Sequence, residues 1–562
     1  MIVANAATLL GAHSLLQKIK TGKPSVDVVL FLLLRILLIS GAVILAGLVG
    51  LLTPLALGLA GAVALAVLLA RGAQRSLPRP MPLPWNRWLV AGAVLILIRL
   101  LLQVWFFAPY TDDALCYHLP KIAEWIRAGG FTREMGSSPR ATLPAGFEVV
   151  ETWWLVFLHH DVLIEMAGLE FLALACGAVY ALGRELGWSP SCALGSAILF
   201  GMTPGVHLEA TSALNDVAAA ALVLATAVLV VARTAPSLIL VAVALGAGIK
   251  PTYVYALPGL ALLYGMSRRE ATLRPGCRWA ARGASTLALL AGGFWYARNV
   301  LWFGNPVYPM GTPQGAQIQQ FGPSLSSLRE NVLALIDLRV YDFVSAPGAL
   351  HTGNANWGAV AFACGFPALI VVLREEPRLR RLAMALLFSL LCVFTLVTLD
   401  PWNVRFIQFF PALPALALAR VATRHRLLAG LAVIALFLEF ISTTLPSEIS
   451  RPKLASLASQ EWSGRSTRPA EPSVAKGVPI GLFSDEGGNP YWLYDPDFSR
   501  RVVYLRESAL EGLLTTLDRE AVTVFYVAVK TDQSNPLFEE GVRKRALEPF
   551  RDGFGRGYRR VR

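Results

Sequence analysis

The sequence predicts an all-α polytopic membrane protein, about 13 transmembrane helices, with juxtamembrane helices outside the bilayer and a small C-terminal α/β domain. Three observations carry this. The 562 residues are 55% hydrophobic and only 15% charged, against about 25% charged in soluble domains. Mean hydropathy is +0.54. Long apolar blocks alternate with short basic punctuation, which is how a helical membrane protein looks; the ten-residue alternating segments of an outer-membrane barrel are absent.

A span needs about 20 apolar residues, fewer where neighbours shield it. Spans are predicted near 28–48, 51–70, 88–108, 163–183, 191–204, 216–232, 237–249, 253–267, 284–303, 357–373, 383–399, 405–420 and 427–444. With a cytoplasmic N-terminus, Arg71/Arg75/Arg79/Arg87, Arg184, Arg233, Arg268/Arg269/Arg274/Arg278/Arg282, Arg374/Arg378/Arg380/Arg381 and Arg424/Arg426 all fall on one side. That is the positive-inside pattern. It implies a multi-pass protein of a bacterial inner membrane, with the tail in the periplasm. The net charge of +13 is spent at helix ends on lipid headgroups, so nucleic acid is not an expected partner.

The chain divides into an N-terminal segment and hairpin (1–87), a transmembrane module (88–445) and a linker with an external domain (446–562). Two external loops, 109–161 and 304–356, are too long to be turns, and long ordered loops are commonly functional. In the tail, 478–484, 501–505 and 521–529 read as strands, with a helical period between the last two. The six cysteines have neither metal-type spacing nor a disulfide pattern.

The chemistry concentrates in Tyr110-Thr111-Asp112-Asp113-Ala114-Leu115-Cys116-Tyr117-His118-Leu119-Pro120. Two carboxylates stand at the outer membrane face in the first turn of a short helix, where the helix dipole favours negative charge. Asp113 and Tyr117 share a face, with His118 one position round. An amphipathic helix follows, Ile122/Trp125/Ile126 on one side and Lys121/Glu124/Arg127 on the other, ended by Gly129-Gly130. A second is expected over 144–160. Other ionisable groups gather on the same side: Asn215-Asp216 near His207 and Glu209, Lys250 in GIKPTYVY, Arg298 in FWYARNVLWFGNPVYP and Arg405 in DPWNVRF. Ionisable groups at such depth are costly and usually functional. For each basic residue alone, contact with lipid phosphate is the competing explanation.

DDALCYHLP after an early span, the later Asn215-Asp216 pair, GIKPTYVYALPGLALL and WYARNVLWFGNPVYP together resemble the type-C (GT-C) superfamily of membrane glycosyltransferases. That superfamily includes protein O-mannosyltransferases and the lipid A aminoarabinose transferase. The resemblance spans roughly 88–445, which leaves the helices over 28–70 as an N-terminal addition. It implies an inverting transfer of a hexose or pentose from a polyprenyl-phosphate-linked donor to a lipid, glycan or protein acceptor. It casts Asp113, with Asp112 second, as general base and Arg298, Lys250 and Arg405 as partners of the donor phosphate. Asp216, Asn215, Tyr117 and His118 become the acceptor or second acidic site. A divalent metal (Mg, Mn or Ca) on Asp112, Asp113, His118 and Asp216, with His207 a further candidate, is left open. So are two rivals: a polyprenyl-lipid or saccharide transporter or flippase, and a non-catalytic polysaccharide-assembly subunit.

Overall fold

The structure, a computed structural model, describes residues 1–73, 87–106, 108–109, 111–133, 136, 138–267, 275–313, 324–336, 357–397, 401–442, 472–484, 489–528 and 535–561. Most of the 304–356 loop, the 446–471 linker and part of the basic clusters near 75–79 and 268–274 lie outside these.

Each of the thirteen predicted spans coincides with a helix. They are α2 (Pro24–Leu48), α3 (Pro54–Ala70), α4 (Arg87–Phe106), α7 (Met166–Glu185), α8 (Pro190–Met202), α10 (Asp216–Val231), α11 (Pro236–Ile249), α12 (Pro251–Met266), α13 (Pro275–Phe303), α15 (Phe366–Glu375), α16 (Pro377–Leu396), α17 (Ala412–Ala422) and α18 (Arg426–Ser442). By length and composition alone, Pro24–Leu48, Asp161–Glu185 and Pro377–Leu396 suffice to cross a bilayer; several others are shorter apolar helices. Proline recurs as the first helical residue, where its missing N–H costs nothing. The remaining membrane-side elements are α1 (Ile2–Ile19), α5 (Leu119–Ala128), α6 (Gly146–Val156), α9 (Pro204–Glu209) and α14 (Leu325–Ile336).

Helix α10 is the axis of the bundle, buried from Asp216 to Val230. Around it, helices approach on glycines: a Cβ on Gly292 of α13 would lie 1.9 Å from the Ala244 carbonyl of α11. Without a hydrophobic drive between helices in lipid, such close backbone contact supplies the packing energy. Gly292→Leu is therefore expected to cost at least about 1–3 kcal/mol by overpacking and to displace Lys250 beyond the end of α11. Thermal unfolding in detergent, followed by size-exclusion, checks this; an unchanged midpoint would contradict the packing argument.

Three features differ from the sequence reading. First, Ile2–Ile19 is a helix against α2 and α3, with Ala4 meeting Gly61; its His, Asn and Gln residues hid it from a hydropathy scan. It helps bury Arg35 of α2, whose Nε and Nη2 pair with Glu170 at 3.1 and 2.9 Å and which also reaches Asn5 and Thr8. Second, the span predicted over 405–420 starts later: Pro401–Ile407 is a 3₁₀ turn and the helix begins at Ala412. Third, the polar faces of the juxtamembrane helices are mostly covered, with Arg127 and Ala128 at the end of α5 exposed. In α6 every residue from Phe147 to Val156 is buried, and in α5 Lys121 and Glu124 are buried like Trp125, because helices cover one side of α5 and the C-terminal domain the other. Gly129 ends α5 as predicted, in the left-handed region (φ +67°).

The C-terminal domain is a five-stranded sheet, order β2-β1-β3-β5-β4. β1 (Ile480–Ser484), β2 (Val502–Leu505) and β3 (Val524–Ala528) pair in parallel through β1, with α19 (Leu510–Arg519) between β2 and β3, matching the predicted strands and helical period. Beyond the prediction come α20 (Pro536–Arg543) and the antiparallel β4 (Leu547–Arg551) and β5 (Arg556–Arg560). Their arginine-rich sequence carries little strand signal.

Candidate functional site

Thr111 hydrogen-bonds the Ser212 carbonyl at 2.8 Å, tying the acidic loop to the α9–α10 connection. The chain then makes one wide π-helical turn, Ala114–His118, before α5; such turns are frequent at functional sites. Asp113 sits at its start, and Tyr117 and His118 project from it into a cavity. Lys121, Arg140, Leu143, Pro144, Glu148, Asn215, Lys250, Pro251, Thr252, Arg405 and Phe406 complete the lining, with about 60 Å³ of room for water-sized molecules.

Around this cavity runs an alternating network of charge. Arg405 Nη2 lies 2.5 Å from Asp113 Oδ2, and Arg140 Nη1 is 3.6 Å from Asp113 Oδ1. Asp216, at the N-terminus of α10, holds Lys250 Nζ at 2.5 Å and has Arg405 Nε at 3.8 Å. Arg405 thus joins two aspartates that are far apart in sequence, and Phe406 lies under both Arg405 and Lys250. Deeper in, Glu148 Oε1 accepts from Lys121 Nζ at 2.5 Å and faces His118 Nδ1 at 2.8 Å, all three fully enclosed.

These pairings set the protonation states. Burial raises the Asp113 carboxyl, but Arg405, His118 and Arg140 outweigh it and hold it far below the usual range. Burial likewise raises Glu148, and Lys121 and His118 reverse that, leaving it near about 2. Burial lowers both His118 and Lys121 against the pull of Glu148. Glu209, buried and facing the Asp216 charge, is pushed up to about 8, so it is neutral at pH 7. Glu151, one turn beyond Glu148, is raised well above normal by burial and by Glu148 and Glu165.

Of the residues singled out from sequence, Asp113, Tyr117, His118, Asn215, Asp216, Lys250 and Arg405 come together here. Asp112 is next to the site but exposed. Arg298 does not line the cavity. It is buried between Trp295 and Trp302, and its Nη2 donates to the Thr142 carbonyl, supported by Asn299, whose side chain also donates to that carbonyl and to that of Tyr308. It braces the turn that carries Arg140. His207 also stands apart, bonded to the Thr203 carbonyl and packed on Phe440. Lys121, Arg140, Glu148 and Thr252 were missed. Lys121 looked like the wet face of a surface helix, Glu148 lay unremarked in the second expected helix, and Arg140 carried no motif at all.

The metal expectation fares poorly on the donor set. Among the described residues no three His, Cys, Asp or Glu side chains converge as ligands. The carboxylates of Asp113 and Asp216 are already matched to cations, and His118 to Glu148. As paired here, Asp113, Asp216 and His118 do not form a ligand set for a divalent ion.

Removing the Arg405 side chain is expected to weaken binding of a phosphate-bearing ligand about 10- to 100-fold, the worth of one charge-assisted contact. Arg298→Lys, by contrast, should lower the melting temperature and leave that affinity within twofold. Titration of both variants with a polyprenyl phosphate in nanodiscs decides; equal losses would place Arg298 on the ligand.

No family model and no curated protein matches the sequence. The structure, however, is similar to crystal structures of ArnT from Cupriavidus metallidurans. The apo state aligns with a TM-score of 0.51 and the form bound to undecaprenyl phosphate with 0.53. Both are 12% identical, over 84% of this chain and 98% of that one. The chain thus has an ArnT-like fold, a helical bundle with a small C-terminal sheet domain.

Proposed function

We propose that the protein is an integral membrane glycosyltransferase. It moves a hexosyl or pentosyl group from a polyprenyl-phosphate donor to a lipid, glycan or protein hydroxyl, at the periplasmic face of a bacterial inner membrane. The observation that carries this reading is the cavity lined by Arg405, Lys250 and Arg140, the cations paired with Asp113 and Asp216 at its edge. A carboxylate beside several cations is what a displacement expelling a phosphate needs. Undecaprenyl phosphate in the ArnT crystal structure supports a lipid phosphate as the leaving group.

In the proposed step Asp113 takes the proton of the acceptor hydroxyl as that oxygen bonds to the anomeric carbon. The bond from that carbon to the phosphate oxygen breaks with inversion, since a single displacement needs one base and no covalent enzyme intermediate. The charge developing on the departing polyprenyl phosphate falls on Arg405, Lys250 and Arg140, with arginine suited to forked phosphate contact. The same cations now hold Asp113 and Asp216. A phosphate that recruits Arg405 and Arg140 relieves their hold on Asp113, raising its basicity only when donor is present.

Glu209 provides a pH signature. Its raised value means it is neutral below about pH 8 and charged above, placing a second negative charge beside Asp216. Affinity for undecaprenyl phosphate should therefore fall as pH rises through about 8, and Glu209→Gln should flatten that decline. A decline of the same size in the variant would assign it elsewhere. The function itself is tested by incubating the protein in nanodiscs with radiolabelled polyprenyl-phosphate sugars and membrane extract. Label must move to an acceptor; if every donor tried neither binds nor transfers, the reading fails.

A further inference from the structure

Among the described residues, the C-terminal domain meets the 109–161 segment through polar contacts, two of them fully buried. Tyr494 Oη donates to Glu124 Oε1 at 2.9 Å, and Tyr491 Oη to Asp161 Oδ2 at 2.9 Å. Tyr504 Oη is 3.1 Å from Tyr494 Oη, Cys116 Sγ is 3.8 Å from Asn489 Oδ1, and Arg506 Nη2 donates to the Gly136 carbonyl at 3.2 Å. Tyr491, Tyr494, Glu124 and Asp161 are each 5% exposed or less. Groups so enclosed cannot exchange their partners for water, so each bond is costly to break.

Helix α5 is consequently held on three sides. Lys121 is bound to Glu148 of α6, Trp125 stacks on Trp295 of α13 with ring centroids 5.8 Å apart, and Glu124 is held by Tyr494. The π-helical turn bearing Asp113, Tyr117 and His118 runs straight into α5, so the two move as one piece. Of the three anchors, the outer one alone comes from the C-terminal domain.

Resting on the glycosyltransferase reading for its catalytic consequence, we propose that the C-terminal domain is a positioning element of the active site. Tyr494, through Glu124, sets the seat of α5 and with it the placement of Asp113 against Arg405. Tyr494 touches no reacting atom in this scheme. Its loss costs orientation, and misplacement by about 1 Å is enough to cost up to about 100-fold in rate.

The test uses the full-length protein in nanodiscs and the variants Tyr494→Phe, Glu124→Ala and Glu124→Gln. Hydrogen–deuterium exchange over 111–128 should rise in Tyr494→Phe and Glu124→Ala while exchange over α10 stays at the wild-type level. It should stay near wild type in Glu124→Gln, which keeps an accepting oxygen. Where wild type transfers sugar, the first two variants should lose about tenfold or more in kcat with the donor KM within twofold, and Glu124→Gln should recover most of it. Unchanged exchange in Tyr494→Phe, or a kcat equal to wild type, overturns the proposal; so does Glu124→Gln behaving like Glu124→Ala. An inactive wild type would instead remove the glycosyltransferase reading, and the exchange data alone would then decide the clamp.

Discussion

Asp113→Asn is expected to lower sugar transfer by about 10²–10⁴-fold, the usual contribution of a positioned general base, while the protein still binds the lipid phosphate. Asparagine keeps the shape of the side chain but cannot accept the acceptor proton. Binding should hold or tighten, because Arg405, 2.5 Å from the carboxylate, loses its resident anion and becomes available to phosphate. The pairing of outcomes is what makes the experiment informative. A scaffold or transporter whose Asp113 only orders Arg405 would change its binding and show no transfer to lose. Transfer surviving the substitution would move the base to Asp216 or Asp112. Single-turnover transfer, measured beside undecaprenyl phosphate binding on the same nanodisc preparation, separates these cases.

The second large effect concerns folding. Glu148→Ala leaves the Lys121 ammonium enclosed without its counter-charge, 1% exposed, which costs about 3–5 kcal/mol. The melting temperature should drop sharply. Replacing both partners by apolar side chains, Glu148→Leu with Lys121→Met, should regain much of that loss, since a buried pair is often no better than well-packed hydrocarbon. Transfer should not return with stability, because both residues line the cavity and His118 loses its partner as well. A double variant that recovers full activity would reduce the triad to a packing device. A Glu148→Ala protein as stable as wild type would mean that water reaches Lys121.

What could be read without the fold followed from composition and periodicity. Thirteen apolar blocks became thirteen helices because lipid forces each segment to satisfy its own backbone. Proline starts and Gly129 as a terminator are likewise local effects. The strands at 478–484, 501–505 and 521–529 were equally plain in their β-branched and aromatic runs. Asp113, Asp216, Lys250 and Arg405 were legible one at a time, since a charge at such a depth in an apolar chain is conspicuous.

Their partnerships were not. Asp113 and Arg405 are separated by 292 positions, and no local pattern records that α10 brings Asp216 to the other side of Arg405. Lys121 and Glu124 were misjudged because amphipathicity reports which face is polar, never what covers it. Here the cover is α6 and the C-terminal domain, and a polar face can be buried when each charge meets its opposite. Arg298 erred the other way: an arginine in a conspicuous motif proved to brace the Thr142 carbonyl behind the site. Sequence alone thus determined the membrane bundle, its C-terminal α/β domain and the residue types capable of the chemistry. Tertiary structure decided which of them share a cavity and which only support it, because pairing between distant charges depends on helix packing, and packing is a property of the whole chain.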